Sequence, residues 1–189
     1  MAELKVTFKL SDRDVRYLRR IMRKASTAAK SQDEASVIKA AVAMAAEVRK
    51  FKPPQYVIER VSKLETLVKM IQDQQYGLPG PVRRKILNAL CYFSLPTDLI
   101  PDTIPGLGFL DDAIMIELLV RELKHELAAY RDFCTFRDSA QQRPWTKVGE
   151  KALENQLVSQ RRKLRARIAA RMAKDSERTK VAPWSLRIW

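Results

Sequence analysis

The sequence predicts an all-α protein of about six helices, with a proline- and aspartate-rich helical hairpin at its centre and a short N-terminal strand. Three observations carry this. Apolar residues recur at three- and four-residue spacing through most of the chain. Only 5 glycines occur in 189 residues, and the long windows are rich in Ala, Leu, Lys, Arg and Glu, which favour helix. Capping residues and prolines fall between the periodic segments, where helices should begin and end.

The elements follow in order. Leu4 to Leu10 alternates, with Val6, Phe8 and Leu10 on one face and Lys5, Thr7 and Lys9 on the other, a short strand pattern. Ser11 with Asp14 resembles an N-cap, and Val15, Leu18, Ile21/Met22 and Ala25 then recur at helical spacing. Ser31 with Glu34 forms a capping box for a second helix, with Val37/Ile38, Ala41/Val42, Ala45 and Val48 inward. Pro53-Pro54 ends it. In the third helix Val57, Val61, Leu64, Val68 and Ile71 form an a/d seam that must pack on another helix. Gly77 to Pro81 is a turn, and Pro81 suits the first turn of a fourth helix reaching Leu95. A fifth runs from about Asp111 through Phe133, with Ile116, Leu119/Val120, Leu123, Leu127 and Tyr130 inward. Arg143-Pro144 breaks the chain before a sixth, roughly Lys147 to Lys174, and the tail from Asp175 reads as loosely held, except that Trp184 and Trp189 are costly residues to leave in water. Three segments result: a strand with a two-helix arm over 1–52, a helical domain over 53–142, and a basic helix with its tail over 143–189.

Between the fourth and fifth helices the chain reads LPTDLIPDTIPGLGFLDD. Pro96, Pro101 and Pro105 forbid continuous helix there and push their predecessors toward extended geometry. The leucines, isoleucines and Phe109 between them should tuck inward, so the connection itself becomes core and its backbone polar groups need partners. Asp98 and Asp102 suit turns, and Asp111 or Asp112 a helix cap. Pro96, Asp98, Leu99, Ile100, Pro101, Asp102, Ile104, Pro105, Gly108, Asp111 and Asp112 reproduce the pattern P-x-D-L-I-P-D-x-I-P followed by G-x-x-D-D. In this the segment closely resembles the YkvA-like family, a bacterial domain of unknown function. The resemblance covers about Pro79 to Ala129 and implies a small helical domain with no established activity.

Charge and motifs narrow the function. Lys+Arg number 36 against 22 Asp+Glu, a net +14 that attracts nucleic acid or anionic lipid. It is uneven: residues 1–88 carry +10, residues 89–142 carry −5, and residues 143–189 carry +9. Cys91 and Cys134 show no metal spacing, which suits a reduced cytosolic chain. The N-terminus lacks a signal-peptide pattern. No apolar run approaches the roughly 20 residues of a spanning helix. His125 is the one histidine, without a nucleophile or oxyanion motif. Gly106 and Gly108 follow no strand, and Asp111 stands where a dinucleotide loop needs its third glycine.

Three readings remain. Arg161, Arg162, Lys163, Arg165, Arg167 and Arg171 surround the apolar stripe of Leu157, Leu164, Ile168 and Met172. Such a helix, with Trp184 and Trp189, can lie on an anionic membrane surface, dock on an acidic partner, or cover the acidic segment of its own chain. The favoured function is therefore a non-enzymatic binding or scaffold protein, cytoplasmic and peripheral at the membrane, with no cofactor. The second reading is a DNA-binding homodimer. The strand and two helices resemble the ribbon-helix-helix family in outline, and Lys5, Thr7 and Lys9 would face nucleic acid. The third is a divalent-metal-dependent enzyme drawing oxygen ligands from Asp98, Asp102, Asp111 and Asp112. No EF-hand spacing supports it.

Overall fold

In the computed structural model, the described residues are 6–28, 33–94, 109–142, 150–178 and 184–188. Strand β1 covers Val6–Leu10, and β2, Trp184–Ile188, pairs with it antiparallel from Val6 opposite Ile188 to Leu10 opposite Trp184. Within the tail expected to be loosely held, residues 175–178 continue the last helix and Trp184–Ile188 form a strand. Its WSLRI run carries β-favouring residues that find their partner only at the other end of the chain.

Among the described residues, seven α-helices account for most of the remainder, so the all-α class holds with a two-stranded ribbon attached. Helix α1 spans Asp12–Ala28 and opens on a reciprocal cap: Ser11 N donates to Asp14 Oδ2 at 2.8 Å, and Asp14 N to Ser11 Oγ at 3.3 Å. Helix α2, Glu34–Lys50, is capped by Asp33, which accepts Ser36 N at 2.7 Å. Ser31, where a capping box was expected, lies outside the described residues, and the N-cap is Asp33, two residues further on. Val37, Ile38, Ala41, Ala45 and Val48 are buried, whereas Val42 is half exposed. Helix α3, Gln55–Gln72, buries the whole predicted seam.

Helix α4, Gly80–Leu90, gives way to a 3-10 turn over Cys91–Ser94 before the expected end at Leu95. The predicted fifth helix is two helices, α5 at Leu110–Glu122 and α6 at Lys124–Gln141. They part at Leu123, whose φ of −108° and ψ of 14° leave the helical range. Apolar periodicity continues across that joint, which is why spacing alone reads it as one helix. Helix α7 covers Glu150–Arg178.

Two compact units form, one from residues 1–69, 79–122 and 182–189, the other from 70–78 and 123–181. Neither is one stretch of chain, because α3 begins in the first unit and ends in the second. The first unit's core gathers Val15, Ala41, Val48, Val61, Leu64, Ile86, Leu90, Met115 and Ile116. The second is built on Tyr76, fully buried, with its ring 5.0 Å from Tyr130 and 5.3 Å from Phe133. Leu157, Leu164 and Ile168 of α7 are buried in this unit, while Met172, expected in the same stripe, is exposed.

Candidate functional site

Within the first unit, α1 is a basic amphipathic helix. Val15 and Ala25 are buried on one side, while Arg13, Arg16, Arg20, Arg23 and Lys24 are exposed. Half-exposed Tyr17 lies among these cations, with the Arg20 guanidinium 5.3 Å from its ring centre. Where α1 meets α4 and α5, a groove of about 420 Å³ opens. Met22, Ala89 and Leu119 supply apolar surface; Arg19, Arg23 and Lys85 supply charge; Ser26 and Asn88 supply neutral polar groups. Glu122 contributes the one carboxylate among the described residues, held by Arg19 at 2.8 Å and by Lys85 at 2.8 Å. Three cations against one carboxylate leave the described lining at +2. A groove of that size and amphiphilic character suits a small anionic ligand with an apolar portion. The signal was present in the sequence, since six of the residues from Arg13 to Lys24 are basic. The groove itself needs α4 and α5, roughly 65 and 100 residues further on, which no local pattern announces.

The second unit explains other charges. Asp73 accepts Tyr76 N at 3.0 Å, Tyr130 Oη at 3.2 Å and Arg137 at 2.7 Å. Buried Glu126 accepts Tyr76 Oη at 3.1 Å and Arg165 at 2.8 Å. Beside that carboxylate, burial above all pushes the Tyr76 hydroxyl far above its ordinary pKa. Arg165 also donates to Gly77 O at 3.3 Å, and Arg161 to Gln75 O at 3.0 Å. Arg167 pairs with Asp132 at 3.0 Å. These three arginines are committed to their own unit, so α7 docks on the acidic segment through α6. Arg162, Lys163 and Arg171 remain exposed and make no ion pair among the described residues.

Of the turn residues, Pro96, Asp98, Pro101, Asp102, Pro105 and Gly108 lie outside the described residues. Asp111 and Asp112 sit inside the first turn of α5, both buried. Neither is its N-cap: Phe109, at φ 65°, holds that place, and its carbonyl accepts Ala113 N at 2.9 Å. The aspartates fall one turn position late because Leu110 already has helical geometry. Asp111 accepts the Tyr92 hydroxyl at 3.2 Å. Among the described residues no three acidic, histidine or cysteine side chains gather to hold a metal.

The DNA-binding outline requires β1 to pair with a second protomer's strand. Its observed partner is β2 of its own chain, which corrects that expectation. Lys5 lies outside the described residues, and Thr7 and Lys9 fall within β1. Trp184 begins β2, and Trp189 is outside the described residues.

A family profile described as "Protein of unknown function (DUF1232)" matches residues 82–118, from within α4 into α5. The chain is similar to the "Uncharacterized membrane protein YkvA" of Bacillus subtilis (strain 168), at 35% identity over 74 residues, covering 37% of this chain and 70% of that protein. No solved structure matches. No helix among the described residues is long and apolar enough to cross a membrane. The match at this identity extends over most of the relative, and on that basis the chain belongs to the YkvA-like family of proteins of unknown function (DUF1232).

Proposed function

We propose that this chain is a non-enzymatic helical binding protein that associates peripherally with anionic membrane. The observation that carries this reading is the outer face of α1, where five exposed cations surround a half-exposed tyrosine. Cations near an anionic surface contribute about 1 kcal/mol each. A tyrosine among them can sit at headgroup level, its ring toward the acyl chains and its hydroxyl in water. Arg162, Lys163 and Arg171 on α7 add a second basic strip, and Trp184 and Trp189 a contribution that salt does not screen. The relative named a membrane protein agrees with such a location.

Vesicle flotation tests the reading. The protein should float with phosphatidylglycerol-containing vesicles and not with phosphatidylcholine alone, and salt should weaken the binding as the Debye length shrinks from about 10 Å at 0.1 M. Arg16→Glu with Arg20→Glu and Lys24→Glu should abolish flotation at low salt without changing helix content. Equal binding to neutral vesicles, or none to either kind, overturns the proposal. Preference for nucleic acid over anionic vesicles, with the same three residues required, would instead make α1 a nucleic-acid surface.

A further inference from the structure

We infer that the groove formed by α1, α4 and α5 takes the phosphate of an anionic glycerophospholipid, an inference that rests on the peripheral-membrane reading and gives it a specific site. Charge is the first argument. Among the described residues, Arg19, Arg23 and Lys85 converge on the groove against Glu122 alone, so the lining attracts one or two negative charges. The cations are not equivalent. Arg19 and Lys85 are tied to Glu122, at 2.8 Å each, whereas the guanidinium of Arg23 has no acidic partner among the described residues. Arg23 is therefore the group ready to make a charge-assisted bond to a phosphate oxygen without breaking one first.

The neutral groups agree. The Ser26 hydroxyl and the Asn88 amide both line the groove and can donate, while Thr27 already donates to Arg23 O at 3.0 Å. The apolar floor then discriminates between sources of phosphate. Met22, Ala89 and Leu119 offer nothing to inorganic phosphate, but they can cover the glycerol and the first acyl carbons of a lipid. The open side of the groove lets the rest of the acyl chains remain in the bilayer. Glu122 acts as an internal competitor. It occupies Arg19 and Lys85 in the empty groove, and an entering phosphate must share them with it.

The test uses the full chain and a short-chain phosphatidylglycerol kept below its micelle concentration, with binding followed by calorimetry. Wild type should bind it at least tenfold more tightly than inorganic phosphate, glycerol phosphate or short-chain phosphatidylcholine. Arg23→Ala should weaken binding about tenfold, the loss of one charge-assisted bond. Its side chain is exposed, so the fold should be unaffected, which an unchanged melting point verifies. Glu122→Gln should strengthen binding severalfold. Arg16→Ala with Arg20→Ala, on the outer face of α1, should reduce vesicle flotation yet leave short-chain binding within about twofold. If Arg23→Ala binds as wild type does, if Glu122→Gln weakens binding, or if inorganic phosphate binds equally well, the inference is overturned even where vesicles float. Short-chain binding that depends on Arg23 without any flotation would establish the groove and remove the membrane reading.

Discussion

Gly77 shows how closely one position is determined. It follows α3 with φ at +59°, its N–H donates to Asp73 O at 3.2 Å, and its carbonyl accepts from Arg165. A Cβ there would lie 2.9 Å from Nη1 of Arg161. Gly77→Ala is therefore expected to destabilise the protein by about 1–2 kcal/mol through left-handed strain, with displacement of Arg161 added. Urea midpoints measure this, and an unchanged midpoint would mean that the turn relaxes. Glycine, leucine and proline in sequence suffice to predict a turn here. They do not show that Arg161 and Arg165, which composition suggests for an anionic surface, clamp it. Likewise Ser11 and Asp14 are legible as a cap because they lie within one turn of each other. Buried Glu126 is not, since Tyr76 is 50 residues away and Arg165 is 39.

At the scale of elements, helix starts carry a pH signature. The Ser36 backbone N–H and then its hydroxyl hold the Asp33 carboxyl below the ordinary value of 3.8. Since its folded pKa is lowered, the stabilisation is complete above that value and is lost as pH falls through the lower folded one. Asp33→Asn keeps a capping oxygen but does not titrate. The gap in stability between wild type and variant should thus narrow from pH 5 to about pH 2, followed by denaturant midpoints at each pH. A constant gap would mean that the charge of Asp33 contributes nothing. Asp14 behaves in the same sense through Ser11. The misplaced box on Ser31 has a simple cause. Asp33 and Ser31 are both good caps near Glu34, and spacing does not rank them. The joint at Leu123 is hidden for a related reason, because a break of one residue barely shifts the phase of the apolar stripe.

For the whole molecule, the ribbon joins the two ends of the chain. A single five-residue strand has no stability of its own, so β1 depends on β2 for its ladder. Deleting residues 181–189 is expected to abolish amide-exchange protection in Val6–Leu10 while leaving the helical circular dichroism nearly unchanged. Protection that survives the deletion would require another partner for β1, including a second copy of the chain. Part of the uneven charge is matched within the chain. Helix α6, neutral overall, and basic α7 pair in both senses: Glu126–Arg165 and Asp132–Arg167 one way, Asp175 with Lys124 and His125 the other. Two of the C-terminal cations, Arg165 and Arg167, are thereby matched within the second unit, whereas the cations on the outer face of α1 make no ion pair among the described residues.

Helical class, most helix cores, the first cap and the family resemblance were all legible in the residues themselves. Each rests on interactions within about one or two turns or on a contiguous motif, and local spacing records these directly. Tertiary structure alone decided which arginines point inward, that Trp184–Ile188 becomes a strand, and that α1, α4 and α5 enclose a basic groove around Glu122. Those outcomes depend on charges and backbone groups brought together from distant parts of the chain. A sequence records which partners exist; the fold selects among them, because a partly buried charge or an unpaired strand must find a specific mate and many candidates satisfy the same pattern.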